Sequence, residues 1–133
     1  MYWKRGNLEC KAKPDLVATI QDLRFCVDVK TTESVNPAAI ARSIAKYGYH
    51  RQAAWYLDGQ EAIGEPCEDF LFIFVEKTPP YLVTMCKLDD KALAKGRAEC
   101  NRAVDSLLEC RATGLYPCYT RDIITVSLPS WAA

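Results

Sequence analysis

Phe25–Thr31 (FCVDVKT) is the stretch that decides the fold, because it has the composition of a strand and yet contains two charged residues. Alternate residues of a strand share a face, so Asp28 and Lys30 lie side by side. A second acid stands thirteen residues before Asp28, in Lys13-Pro14-Asp15. Phosphodiester hydrolysis uses such a set, since two carboxylates hold a hard divalent cation that activates water and an ammonium supports the attacking hydroxide.

The spacing of these two motifs is a weak signal by itself. Pro-Asp followed by Asp-x-Lys often arises by chance, and its simpler explanation is a turn at a strand end plus a surface ion pair. The sequence downstream adds a helical run from Ala38 to about Tyr47 and a second helix from about His50. Gln52 and Tyr56 are four residues apart in that second helix, so they lie on one face.

The order of acid, Asp-x-Lys strand and Gln-x-x-x-Tyr helix resembles the PD-(D/E)xK nucleases, in the branch that contains RecB and phage-type exonucleases. Longer strings resemble the RecE-type exonucleases of prophages (exodeoxyribonuclease VIII) in order. These strings are ECKAKPD at 9–15, DVKTT at 28–32, YHRQAAWYLDG at 49–59 and SLPSWA at 127–132. The resemblance implies an α/β restriction-endonuclease-like core with a mixed central β-sheet flanked by helices, as a single domain over residues 1–133.

The resemblance also implies a role for each matching residue on the acid strands. Asp15 and Asp28 would bind Mg²⁺ or Mn²⁺, with two ions per site, and the backbone carbonyl of Val29 would complete part of the shell. Lys30 would orient or activate the attacking water. Oxygen ligands of this kind suit magnesium, whose remaining coordination positions are filled by water and phosphate.

Two helix residues complete the implied site, and one expected histidine is missing from it. Gln52 and Tyr56 would position the DNA backbone or the catalytic lysine. Members of this branch usually carry a histidine on a helix before the Pro-Asp motif, and that helix would lie upstream of Met1. The single histidine, His50, belongs to the Gln52 helix, so we predict a nuclease core lacking its N-terminal portion. Glu9 is a candidate extra acid, although a solvated strand face explains it equally well.

The implied activity is a 5′ to 3′ exonuclease acting on linear double-stranded DNA. It would leave a 3′ single strand for a RecT-like annealing protein, and its subunits would form a homo-oligomeric ring around the duplex. One alternative is a structure-specific or restriction-like endonuclease, since the motifs specify phosphodiester hydrolysis but not end dependence. Another is a non-catalytic DNA-binding or assembly remnant, which the missing histidine favours and the intact motif residues oppose.

Composition and charge limit the remaining classes. The chain has 133 residues, of which 50% are hydrophobic and 26% charged, as in a soluble one-domain protein. Neither a signal peptide nor an apolar run of about 20 residues is present, so we predict a cytoplasmic protein without membrane contact. The net charge is zero, but nine Lys and Arg stand against six Asp and Glu through Gly59. The candidate phosphate contacts in this half are Arg42, Lys46 and Arg51.

Seven cysteines, at positions 10, 26, 67, 86, 100, 110 and 118, need an explanation. None forms a Cys-x-x-Cys pair, so a zinc ribbon is unsupported. The iron–sulfur cluster of some RecB-like nucleases is an alternative. Small buried thiols in a reducing compartment explain the odd count more simply.

Periodicity and turn residues predict the frame around these motifs. Hairpins are expected about Gly6-Asn7 and Gln21-Asp22, and the apolar run 70–75 should be a central strand buried on both faces. A strand is expected next at 81–86, and then a helix from Asp89 or Asp90 to Gly114. The apolar stripe of this helix contains Leu93, Cys100, Val104, Leu107 and Leu108. The tail at 116–133 should be irregular. Within the second helix, Trp55 should face the core and Tyr56 the cleft.

Overall fold

Two β-sheets organise the fold, which a computed structural model describes for residues 1–132. The first sheet is a hairpin of β1 (Tyr2–Arg5) and β2 (Leu8–Lys11). The second contains four strands in chain order, namely β3 (Leu16–Ile20), β4 (Leu23–Thr32), β5 (Asp69–Glu76) and β6 (Val83–Lys87). Strands β4 and β5 are parallel and the other neighbours are antiparallel, so the central sheet is mixed as predicted.

Tight turns set the register of both predicted hairpins. Gly6 has φ 57°, and Gln21 and Asp22 have φ 50° and 64°. Two-residue turns with positive φ at the first position, as at Gly6, or at both positions, as at Gln21 and Asp22, match the right-handed twist of their strands. The second turn pairs Ile20 with Leu23, so β4 begins two residues before the predicted Phe25.

Two consecutive helices follow β4 and cover one face of the central sheet. Helix α1 (Pro37–Tyr47) begins at Asn36, whose side-chain oxygen accepts a 2.9 Å hydrogen bond from the amide of Ala38. It ends at Gly48, which has φ 71°, and helix α2 (Tyr49–Ala62) begins immediately after this residue. The left-handed glycine turns the chain sharply between the helices.

Helix α3 (Asp90–Thr113) packs against α2 and is bounded as predicted by an Asp89 cap and a left-handed Gly114. Gly96 lies at the crossing, where a β-carbon would overlap the backbone carbonyl of His50. The predicted apolar stripe is correct through Val104. It fails at Leu107 and Leu108, which are 36% and 37% exposed. Leu107 lines an open cleft between α3 and β2 and is not packed in the core.

The core lies between the central sheet and the helices. Phe70, Phe72 and Phe74 of β5 are its largest fully buried side chains. The intervening residues of β5 are only half-buried, so the prediction of a strand buried on both faces is wrong. The opposite sheet face is partly open to solvent: on neighbouring strands, Val29 is 49% and Met85 62% exposed.

The chain after α3 forms neither helix nor strand within residues 115–132, in agreement with the predicted irregular tail. Its apolar residues are exposed, as in Ile124 at 62% and Trp131 at 85%. The last residue of the predicted tail, Ala133, is outside the described residues. No helix in the described part of the chain is long and apolar enough to cross a membrane.

Candidate active site

The centre of the site is a buried carboxylate on β4. Asp28 is 3% exposed and points to the helix-covered face of the sheet, where Oδ1 accepts a 2.7 Å hydrogen bond from Nε2 of Gln52 on α2. Its other oxygen forms an ion pair with the ammonium of Lys30, two residues along the same strand. Burying a carboxylate is costly unless it is compensated. Here Oδ1 has the hydrogen bond from Gln52, whereas the buried Oδ2 has no hydrogen-bond partner within residues 1–132 and is compensated only by the charge of Lys30.

A second carboxylate, that of Asp15, contacts the backbone of the same strand. Strand β3 begins at Leu16, which pairs with Val27, so Val29 lies beyond the start of β3. Oδ2 of Asp15 accepts a 2.9 Å hydrogen bond from the amide of Val29. The carboxylate thus satisfies a backbone donor that the sheet leaves without a strand partner.

The backbone carbonyl of Val29 faces the same side as Asp15. The carbonyls of Arg24 and Thr32 accept hydrogen bonds from the chain next to β5, at 2.7 and 3.1 Å. Backbone groups alternate in direction along a strand, and the amide and carbonyl of one residue share a direction. Val29 is offset from both residues by an odd number, so its carbonyl is directed away from β5 and toward the region that Asp15 occupies.

These donors suit a hard divalent cation. Asp15, Asp28 and the Val29 carbonyl provide only oxygen ligands, and Mg²⁺ is commonly bound by one or two carboxylates together with waters and substrate phosphate. Within residues 1–132 no group of three or more His, Cys, Asp and Glu side chains gathers as a metal centre. A set of two carboxylates and one backbone carbonyl is smaller than such a group, and its all-oxygen chemistry fits Mg²⁺. A cation would compete with Lys30 for the buried carboxylate.

An aromatic ring holds Lys30 from the other side. The Nζ atom of Lys30 lies 4.6 Å from the ring centroid of Tyr49, at the start of α2. Tyr49 in turn packs on Phe72 and Phe74, at 5.8 and 6.2 Å between centroids. The ammonium is therefore placed between a carboxylate and a π-face that the core anchors.

Comparison with known families agrees with this architecture. A family model described as a PDDEXK-like domain of unknown function (DUF3799) matches residues 1–125. The chain belongs to this family. The superfamily prediction is therefore confirmed, whereas the RecE-type branch and the missing N-terminal portion remain predictions. No curated protein matches the chain.

Not every predicted residue of the PDDEXK-like domain joins the Asp28 cluster. Tyr56 packs its ring edge-on against Phe70 at 5.9 Å, within the main core. Trp55 instead contacts Trp3 of the hairpin at 5.1 Å and donates to a carbonyl of β2. The expectation that Tyr56 faces the cleft is thus wrong for its ring, because the helix turns that face toward β5.

The other predicted site residues separate into three locations. Arg42 and Lys46 line one cavity beside the end of β4. Arg51 lies apart from them, with its guanidinium 3.7 Å from Glu99 on α3. Glu9 is in the hairpin sheet, where it lines a cleft with Arg111, and its side chain makes no hydrogen bond or ion pair within the described residues.

A contact between α3 and the start of α2 could not be predicted from local sequence. The buried His50 has its Nε2 3.1 Å from Glu99, which also accepts a 2.8 Å contact from Lys95. Hydrogen bonds from Lys95 and then His50 lower the pKa of Glu99 to about 2. This contact joins α3 to the turn of α2 that carries Gln52, so it helps to fix Gln52 against Asp28. The only sequence signal was the Lys95–Glu99 spacing of one helical turn.

All seven thiols of this PDDEXK-like domain are free. Cys10 and Cys26 are buried in the two apolar clusters, as expected of small hydrophobes. The Sγ atoms of Cys26 and Cys67 lie 3.6 Å apart. Burial, followed by the neighbouring Cys67, raises the pKa of Cys26 to about 12, so this thiol stays protonated at neutral pH.

Proposed function

We propose that this PDDEXK-like domain is a divalent-metal-dependent deoxyribonuclease that removes nucleotides from the ends of linear double-stranded DNA. One arrangement carries the proposal: Asp15 lies against the backbone of Val29, and the preceding residue, Asp28, pairs with Lys30 and Gln52. A buried acid beside a lysine is expensive as a purely structural device, and the neighbouring exposed acid gives it a chemical purpose.

The roles of the residues follow from their contacts. Asp15, Asp28 and the Val29 carbonyl would hold Mg²⁺ or Mn²⁺, which when bound polarises the phosphate and lowers the pKa of water. Binding would release the ammonium of Lys30 from the carboxylate. Lys30 would then orient the attacking water while Tyr49 keeps its Nζ in place. Gln52 would keep Asp28 in one rotamer through its 2.7 Å hydrogen bond.

The mode of action rests on the resemblance of the longer strings. A RecE-type enzyme would degrade one strand from the 5′ end and leave a 3′ single strand for a RecT-like annealing protein. A homo-oligomeric ring would retain the duplex between cleavage events. These features of end preference, polarity, partner and assembly are proposed together, and light scattering of the purified chain tests the assembly separately.

Linear and closed-circular duplexes of the same sequence, incubated with the chain in Mg²⁺, test the function. We expect loss of the linear form alone, release of mononucleotides or short products, and no activity in EDTA. The control is Asp28→Asn, which retains the size of the side chain and removes its charge. Cutting of both forms would support the restriction-like endonuclease instead. A chain that binds DNA and cuts neither form would support the non-catalytic remnant.

A further inference from the structure

A cavity of about 510 Å³ opens where β4 ends, directly beside the candidate active site. Its floor and walls come from the end of β4, the following loop and helix α1. The residues that line it include Thr31, Thr32, Arg42, Lys46, Tyr47 and Tyr49. Thr32 follows Asp28 and Lys30 on the same face of β4, so the cavity continues the row that carries the site. Its volume is within the usual range of ligand pockets, about 300–1,000 Å³.

Two stacked tyrosines connect this cavity to the site. The rings of Tyr47 and Tyr49 are 5.6 Å apart with an interplanar angle of 30°. Tyr49 is held by the core and contacts the ammonium of Lys30. Tyr47 is 58% exposed, so much of its ring remains available on the cavity side. Tyr47 is thus held against an anchored ring, and the exposed Lys46 ammonium lies over it, so a base that stacks on Tyr47 must displace this cation.

The charge around Tyr47 is positive. The Nζ atom of Lys46 lies 5.2 Å from the ring centroid of Tyr47, and Arg42 lies one turn earlier on α1. Neither cation has an ion-pair partner within residues 1–132. The one acid of the cavity, Glu33, is paired with Lys77 at 2.9 Å. The cavity thus offers an aromatic face together with two unpaired cations.

We propose that this cavity binds one unpaired nucleotide of the DNA strand, next to the phosphate that is cleaved at the site of Asp28 and Lys30. The base stacks on Tyr47, and Arg42 and Lys46 hold its phosphates. This inference rests on the proposed nuclease function and names its substrate more closely. A base inside a duplex has both faces covered by its neighbours, and the last base of a blunt end is still paired to its complement. Only an unpaired base is small enough to enter a cavity of about 510 Å³ and lie on Tyr47. The domain therefore prefers strands with single-stranded or frayed ends over blunt duplex.

Binding experiments in EDTA test the cavity without requiring cleavage. The probes are a fluorescent 24-nucleotide oligothymidylate and a GC-rich blunt duplex of twelve base pairs, which has nearly the same charge. Binding is measured by anisotropy for wild type, Tyr47→Ala and Tyr47→Phe. Stacking on an aromatic side chain contributes about 5- to 140-fold in affinity per base. We expect Tyr47→Ala to lose that factor for the single strand and less than about twofold for the duplex, while Tyr47→Phe retains wild-type binding. The matched control is Tyr2→Ala, because Tyr2 is an 80% exposed tyrosine of the hairpin.

A second readout isolates the stacking contact. An oligonucleotide carrying 2-aminopurine should lose fluorescence on binding wild type and retain it with Tyr47→Ala. Arg42→Gln with Lys46→Gln should reduce the slope of log affinity against log salt by about 1.4 for the single strand, since each phosphate contact contributes about 0.7. Failure of wild type to bind the single strand, or an equal loss for both probes in Tyr47→Ala, would overturn the proposal.

The two proposals fail in different ways. Selective loss of single-strand binding in Tyr47→Ala, without any cleavage by wild type, would support the cavity and remove the nuclease function. Cleavage by wild type with unchanged single-strand binding in Tyr47→Ala would support the nuclease and remove the cavity as a nucleotide site.

Discussion

Replacing Lys30 with methionine should destabilise the chain in the absence of divalent cations. Methionine retains an unbranched apolar stem and lacks the ammonium that pairs with Asp28. The two side chains are 18% and 4% exposed, so water replaces little of the lost interaction. The Asp28 carboxylate would remain buried without a neighbouring positive charge.

The contacts at the site set the magnitude of this loss. Removing one partner of a buried ion pair costs about 3–5 kcal/mol, because the other charge is left uncompensated. Asp28 keeps its hydrogen bond from Gln52, and Lys30 is partly solvated in the folded chain. We therefore expect the free energy of unfolding to fall by about 2–3 kcal/mol, which lowers Tm by about 10 °C in a domain of this size.

Divalent cations should reverse much of this loss. A ligand at 100 times its dissociation constant stabilises the folded state by about 2.7 kcal/mol. In the wild type a cation must displace the Lys30 ammonium from Asp28, whereas in Lys30→Met it meets a bare carboxylate. Lys30→Met should therefore gain more stability from Mg²⁺ than the wild type while its cleavage rate falls.

Urea unfolding in EDTA and in Mg²⁺ measures both effects. The matched control is Lys87→Met, since Lys87 pairs with Asp69 at 2.8 Å but is 66% exposed. A surface pair of this kind contributes less than about 1 kcal/mol. If Lys30→Met were as stable as wild type in EDTA, or if Mg²⁺ stabilised both equally, the competition between lysine and cation at Asp28 would be refuted.

Three further substitutions test the support of the site. Gln52→Ala leaves a buried acceptor without its donor, so urea unfolding should show a loss of about 1–3 kcal/mol, and cleavage should slow; wild-type stability would contradict this contact. Gly96→Ala places a methyl group against the carbonyl of His50, so the free energy of unfolding should fall by at least about 1–3 kcal/mol. A thermal melt measures this loss, and an unchanged Tm would contradict the close crossing of the helices. The hydrogen bond from Lys95, followed by that from His50, lowers the pKa of Glu99 from its ordinary 4.5 to about 2. Stability from this carboxylate is complete above pH 4.5 and is lost as the pH falls toward 2, so the difference between wild type and Glu99→Gln should close over that window in unfolding curves recorded at several pH values.

Local patterns predicted most of the frame because each element carries its own signal. Asn36 before Pro37 and Gly114 after the last periodic residue mark helix ends through caps that depend on adjacent residues. The turn at Gln21 and Asp22 is likewise local. The apolar run of β5 was ambiguous, because its composition does not show whether a second layer covers the face that contains Ile73.

The site could be predicted where the periodicity of a strand or a helix determines which residues share a face. Asp28 and Lys30 share a face by alternation, and Gln52 occurs on the second helix after that strand. The contact between Asp15 and the amide of Val29 depends on where β3 begins, which the sequence leaves uncertain by a residue or two. The ring of Tyr56 turned to the core because helix rotation is set by packing against Phe70, a tertiary effect.

Long-range support was not predictable from the chain alone. Glu99 reaches His50 across 49 residues, and no pattern near either position indicates the partner. The same applies to the stacking of Tyr47 and Tyr49, which depends on how Gly48 turns the chain between α1 and α2. Such contacts arise from the packing of whole elements, which single-sequence periodicity does not specify.

Calorimetric titration of Mn²⁺ into the metal-free chain measures the proposed cation site itself, because it needs neither DNA nor turnover. We expect a binding isotherm for wild type that is lost or weakened at least tenfold in both Asp15→Asn and Asp28→Asn. The Glu9→Gln variant should bind as wild type does, since Glu9 lies in the separate hairpin sheet. Equal affinity in the wild type and both aspartate variants, or loss of binding only in Glu9→Gln, would contradict a metal-dependent site at Asp15 and Asp28.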